Sequence, residues 1–178
     1  MPEMEQGKNK ILLFRLLREQ DTSAAKLVFQ TEHTFTYSRE LDTVVTKDGQ
    51  IVTVGGLESE VSIEAIQAKD DETAKMLRQS VIDGDKLELW EVTVDEELQD
   101  DDGKYPAVYA QGFLDSWENT ASAEEEAAVS SNFIVELEPQ QGMATLTAEQ
   151  EQFVQYAFRD TVANPPVEEE IVEGGVEG

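Results

Sequence analysis

The chain has 178 residues, 39% of them hydrophobic, with 13 basic residues against 39 acidic ones and a formal charge of -26. That length supports one domain with a real core, and the charge disfavours association with nucleic acid or anionic membrane. There is no cysteine, which excludes disulfides, thiolate catalysis and thiolate metal sites.

The start, MPEMEQGKNK, is polar and lacks the apolar stretch of a signal peptide. No apolar run nears the roughly 20 residues of a membrane span, so the expectation is a chain made in a cytoplasm and not exported. ILLFRLL (residues 11–17) fits a short buried helix or a strand covered on both faces. Its shortness and lack of a cap favour the strand. KLVFQTEHTFTYS (residues 26–38) is rich in strand formers, and Phe29, Phe35 and Tyr37 share one parity, which would place them on one side of a sheet. TVVTKDGQIVTV (residues 43–54) reads as a hairpin with a type I′ turn at Asp48-Gly49. It is rich in Val and Thr and poor in large core residues, so it projects rather than packs.

LESEVSIEAI (residues 57–66) alternates strictly. Leu57, Ser59, Val61, Ile63 and Ala65 share one face, and Glu58, Glu60, Ser62, Glu64 and Ile66 share a wet, acidic one. DDETAKMLRQSVIDG (residues 70–84) predicts a helix. Acids crowd its first turn, Ala74, Met76, Leu77 and Val81 form its apolar stripe, and Gly84 stands at the C-terminal cap. KLELWEVTV, AVYAQGFLDSWE and AAVSSNFIVELE (residues 86–94, 107–118 and 127–138) read as further strands. The last two form a hairpin connected by residues 119–126, where SAEEEA admits a short helical turn capped by Ser122. Thr147 and Gln150 make a capping box. Phe153, Val154, Tyr156, Ala157 and Phe158 then give a C-terminal helix an apolar face. Residues 164–178 read as a disordered acidic tail. The sum is seven or eight strands with one helix between them and one after: a mainly β sandwich or barrel.

Catalytic chemistry is poorly served. The single histidine, His33, has no local partner set and reads as a surface or packed residue. DEELQDDDGKY (residues 95–105) fails as an EF-hand loop: with Gly103 at loop position 6, Leu98 and Tyr109 occupy the first and last ligand positions, so a solvated turn is the reading, with a weak, irregular cation site as the alternative. Neither VTVGGLE nor VEGGVEG is followed by Gly-Lys-Ser/Thr, so neither is a phosphate loop. With 39 acids, a carboxylate pair has no specificity. Trp90 and Trp117 read as core or interface anchors.

The order of six segments resembles the major tail proteins, or tail tube proteins, of bacteriophages with long non-contractile tails. They are GKNKILLFRLL (7–17), FQTEHTFTYSRELDTVVTKDG (29–49), LESEVSIEAI (57–66), KLELWEV (86–92), YAQGFLDSWENTASAEEEAAVSSNF (109–133) and ATLTAEQEQFVQYAFRDTV (144–162). The resemblance implies a structural virion protein, not an enzyme, with no cofactor. It implies a β-sandwich or barrel-like tail-tube fold with one flanking helix (about 70–84), a C-terminal helix and a projecting hairpin arm. Residues 1–163 would be the tube domain and 164–178 the acidic tail. Six copies would form a ring, their inner sheets joining into one large barrel, and rings would stack around a channel that conducts DNA into the host. Partners would be further copies, a tape measure, a tail terminator and a distal tail protein, with no membrane. Such a chain would be assembled in the host cytoplasm and reside in the virion tail.

In that setting Thr43, Val44, Val45, Thr46, Lys47, Asp48, Gly49, Gln50, Ile51, Val52, Thr53 and Val54 are the candidate inter-subunit or inter-ring arm. Glu58, Glu60 and Glu64 are candidate lumen-facing acids, since a basic wall would hold a duplex that carries one charge per roughly 1.7 Å. The competing reading is a monomeric β-sandwich binding or adhesion module.

Overall fold

The computed structural model describes residues 2–154. In chain order the elements are β1 (Lys10–Leu16), β2 (Ala25–Lys26), β3 (Gln30–Thr46), β4 (Gly49–Ile66), α1 (Glu72–Asp83), β5 (Leu87–Thr93), β6 (Tyr105–Thr120), β7 (Ala128–Val135), β8 (Gln140–Ala144) and α2 (Ala148–Val154). The strands form one antiparallel sheet in the order β2-β1-β5-β6-β7-β4-β3, with β8 paired to the first part of β6.

This sheet curls. Flat, β1 and β3 would stand five strand spacings apart, about 24 Å. Instead the Gln30 side chain of β3 reaches Leu12 of β1. Its Nε2 donates to the Leu12 carbonyl at 2.7 Å, and its Oε1 accepts from the Leu12 N–H at 2.9 Å. A side-chain amide thus does the work of a missing ladder rung. Inside the curl lie Leu12, Phe14 and Leu16 of β1 with Val61 and Ile63 of β4, Leu87 and Leu89 of β5, Leu114 of β6, Phe133 of β7 and Leu77 of α1. A second cluster, on the opposite face of β1 and β5, joins Ile11, Leu13 and Val92 to Val94, Tyr105 and Leu146. Both faces of β1 are therefore buried, which is why its sequence is apolar at nearly every position.

The helix forms where its caps fall. Asp71 Oδ1 accepts from the N–H groups of Thr73 and Ala74 at 3.0 and 3.3 Å, and Gly84 ends the helix with φ 71°. Asp71 Oδ2 also accepts from the Val28 N–H, tying the helix start to the turn before β3. Leu77 is fully buried, with Ala74, Met76 and Val81 partly buried around it. The capping box before α2 is reciprocal: Thr147 N–H donates to Gln150 Oε1, and Gln150 N–H to Thr147 Oγ1. The side chains expected to form the apolar face from Phe153 to Phe158, the boundary at 163 and the tail at 164–178 lie outside what the structure describes.

Several expectations change. The segments 26–38, 43–54 and 57–66 are not three separate pieces. β3 and β4 are two long strands of 17 and 18 residues that run from the curled body out into a free ribbon. The break comes earlier, at Phe29, whose φ of 53° turns it out of the strand. Phe29 is 61% exposed and does not share a face with Phe35 and Tyr37, which stack at 4.8 Å. The ribbon turns through Lys47 and Asp48, not Asp48-Gly49, because Thr46 pairs with Gly49. Neither central residue has a positive φ, so the turn is not type I′. The Thr46 hydroxyl holds it instead, accepting from Asp48 N–H and donating to the Gly49 carbonyl. β6 extends to Thr120 and β7 begins at Ala128, so their connection is 121–127. No helix forms in it, and Ser122 Oγ only accepts from the Glu124 N–H. The short strand β8 was not foreseen; its Gln140-Gln141-Gly142 start carries no strand signal.

Candidate functional site

Two surfaces carry the chemistry, and both grow from β3 and β4. The first is the solvent face of a four-stranded wall: residues 30–38 of β3, 58–66 of β4, the strand β7 and residues 113–120 of β6. Along β4, Ser59, Val61, Ile63 and Ala65 are buried while Glu58, Glu60, Ser62 and Glu64 are exposed. The ladder carries this alternation across the wall in rows. Thr36, Glu60, Ile134 and Phe113 form one row, Thr34, Ser62, Asn132 and Ser116 the next, and Glu32, Glu64, Ser130 and Glu118 a third. A bulge between Leu114 and Ser116 resets the parity of β6, so Trp117 turns inward against the core while Ser116 and Glu118 stay outside.

The face is acidic and hydroxylic. Asn132 Nδ2 donates to Glu60 Oε2 at 3.3 Å, and Ser130 Oγ donates to Glu118 Oε2 at 3.1 Å. Not one Lys or Arg occurs in these four segments. Glu32 and Glu64 stand directly opposite each other, an arrangement that costs stability in a sheet. Glu58, Glu60 and Glu64 thus share one surface, as their spacing required. Both lateral edges of the wall, residues 30–38 of β3 and 113–120 of β6, carry no backbone ladder among the described residues.

The second surface is the ribbon. Beyond the Arg39–Leu57 pair, among the described residues, only β3 and β4 pair with each other, and every ribbon residue is exposed. At its base Glu40 faces two glycines, Gly55 and Gly56, across a register shift. Arg39 donates to the Gly55 carbonyl at 2.8 Å, and a Cβ on Gly55 would stand 3.1 Å from the Glu40 carbonyl oxygen. The glycine pair therefore serves a β-bulge where the arm leaves the body. All twelve arm residues named from the sequence, 43–54, belong to this ribbon.

The other polar groups are structural. His33 Nε2 lies 2.7 Å from Glu91 Oε2, both side chains nearly buried, so the histidine's partner is 58 residues away, on β5. Glu88, buried on the far face of β5, accepts from Arg15 Nε at 2.5 Å and from the Tyr109 hydroxyl at 2.6 Å. Arg15 also lies over the Trp90 ring, 5.0 Å from its centre. Burial first, then the bond to Glu88, pushes the Tyr109 phenol up from its ordinary value. Sequence reasoning missed this network; its signal was one acid, Glu88, on a strand face otherwise made of Trp90, Val92 and Val94. In residues 100–104, Asp100 Oδ1 accepts from the N–H groups of Asp102 and Lys104, which makes it a turn former. Among the described residues no group of acid, His or Cys side chains could hold a metal ion, and no helix is long and apolar enough to cross a membrane.

The phage tail tube protein family matches residues 4–141. The chain belongs to that family. A protein of Staphylococcus phage phiMR25 described as a tail protein is 32% identical over 171 residues, covering 90% of this chain and 85% of that one. Among solved structures, the SPP1 tail tube matches at a TM-score of 0.71 and 19% identity, over 92% of this chain and 97% of that one. The tail of an empty gene transfer agent particle matches at 0.61 and 15% identity, over 80% and 100%. At such identities these two speak for the fold alone. Family and fold are those of structural phage tail tube proteins, not of enzymes, and the protein is a virion tail component.

Proposed function

We propose that this tail tube protein assembles as hexameric rings that stack around a channel through which DNA leaves the particle. The observation that carries this reading is the four-stranded wall: acidic, free of Lys and Arg and, among the described residues, unpaired at both edges. A channel for DNA must not bind it, and a cation-free wall offers no site for counterion release. The two edge strands, β3 and β6, run in opposite directions, because an antiparallel set of four ends on opposite senses. Copies placed side by side thus continue the antiparallel alternation, with β6 of one beside β3 of the next. The related gene transfer agent tail was refined with C6 symmetry, which supports six copies here.

Four strands from each of six copies make 24. At the usual spacing and a tilt near 40°, such a barrel is about 48 Å across at the backbone. A side-chain layer of roughly 5 Å on each side leaves about 38 Å, wider than a B-form duplex. Glu58, Glu60 and Glu64 then face the lumen, and the arm contacts other copies. Residues 1–163 form the tube domain, 164–178 an acidic appendage. Further copies are the main partner; tape measure, terminator and distal tail proteins complete the tail, which is built in the host cytoplasm.

Electron microscopy of the purified chain tests the reading. Six-membered rings or tubes with the β3–β4–β7–β6 wall inside are expected. A monomer at every concentration and salt level overturns it and favours a monomeric binding module; tubes with the wall on the outside overturn the assignment of the lumen face.

A further inference from the structure

The two ends of the β3–β4 pair carry different exposed apolar surfaces. At the arm end, cross-strand partners share a face. Leu41 with Val54, Thr43 with Val52 and Val45 with Gln50 make one side; Asp42 with Thr53 and Val44 with Ile51 make the other. The first side holds no charge, and Leu41, Val45, Val52 and Val54 are between 58% and 80% exposed. A lone two-stranded ribbon is marginal in water, and among the described residues none covers this one.

At the opposite end the same strands close on Phe29 and Ile66, 61% and 37% exposed, where the Ile66 N–H donates to the Phe29 carbonyl at 3.0 Å. A positive φ at an aromatic residue is strained, and here the strain turns the ring toward solvent rather than into the core. The β6–β7 connection lies at this end too, since Thr120 pairs with Ala128 and Ala128 with Ile66. Its Glu124, Glu125 and Glu126 are exposed. The arm tip, by contrast, carries Lys47.

Resting on the ring-stacking reading, we propose that these ends meet: the uncharged side of one copy's arm seats on the Phe29–Ile66 rim of a copy in the next ring, with Lys47 against Glu124, Glu125 and Glu126. Copies carrying -26 each repel, so the contact that joins them needs an uncharged patch and a local charge match. Both are present, at opposite ends. A contact between different patches at opposite ends of the strand pair can repeat from ring to ring without closing, as a stack requires.

The experiment uses the full chain with Phe29→Gly, Lys47→Glu, and Lys47→Glu combined with Glu125→Lys. Glycine adopts a φ of 53° freely, so Phe29→Gly keeps the fold, checked by thermal unfolding. Rings should persist in micrographs while the concentration needed for tubes rises at least about tenfold. Lys47→Glu should weaken tube formation, and Glu125→Lys should restore it in part. Phe29→Gly tubes at the wild-type concentration overturn the contact. So does loss of the rings themselves, which would place Phe29 within a ring. If the wild-type chain forms neither rings nor tubes, the tube-subunit reading fails instead.

Discussion

Gly112 has no room for a side chain. A Cβ there would stand 1.9 Å from the Ile134 carbonyl oxygen and 2.9 Å from its carbon, both backbone. Gly112→Ala must therefore push β6 and β7 apart, beneath the wall. A loss of roughly 3 kcal/mol in urea unfolding is expected; a loss below 0.5 kcal/mol would show that the strands separate without cost. Tyr109 gives the pH-dependent case. Its folded-state pKa is raised, by burial first and then by the bond it donates to Glu88. A raised pKa stabilises the fold fully below the unfolded value near 10. That contribution fades as pH climbs through the higher folded value. Wild-type stability should thus fall more steeply from pH 9 to 11 than that of Tyr109→Phe, read by denaturant unfolding at each pH. Equal slopes would refute it. The sequence showed Gly112 and Tyr109 within a strand. It did not show what each faces, because their partners come from β7 and β5.

For single elements, local pattern decided most of the outcome. The alternation in residues 57–66 and the caps around residues 72–83 act over a few residues, so both were legible. The turn of the arm was placed one residue late, because a side-chain hydroxyl at Thr46 competes with the glycine preference that an Asp-Gly pair suggests. That the arm projects was legible from its lack of large core residues. That it is continuous with the wall was not, since the bulge at Gly55-Gly56 reads as a break in sequence. The ribbon places no side chain in either core cluster. Deleting residues 42–55 should leave the unfolding free energy within about 1 kcal/mol of wild type and abolish tubes in micrographs. Tubes from the deleted chain would remove the arm from assembly.

In the whole molecule, electrostatics and closure decide. Glu58→Lys, Glu60→Lys and Glu64→Lys together place cations on a face that has none. Tubes should still form, because these side chains make no core contact, while DNA release from assembled particles, followed by dye fluorescence, should slow severalfold. Unchanged release would move the lumen to another face.

The sequence by itself determined the helix α1, the strands other than β8, the acidic face, the projecting hairpin and the family resemblance, because these rest on periodicity, turn chemistry and residue order along the chain. Only the tertiary structure decided that the sheet curls until Gln30 bonds Leu12, that His33 meets Glu91, and that four strands form one cation-free wall. Those depend on which strands become neighbours. Contacts between residues 18 to 73 positions apart leave no local pattern for a sequence to display.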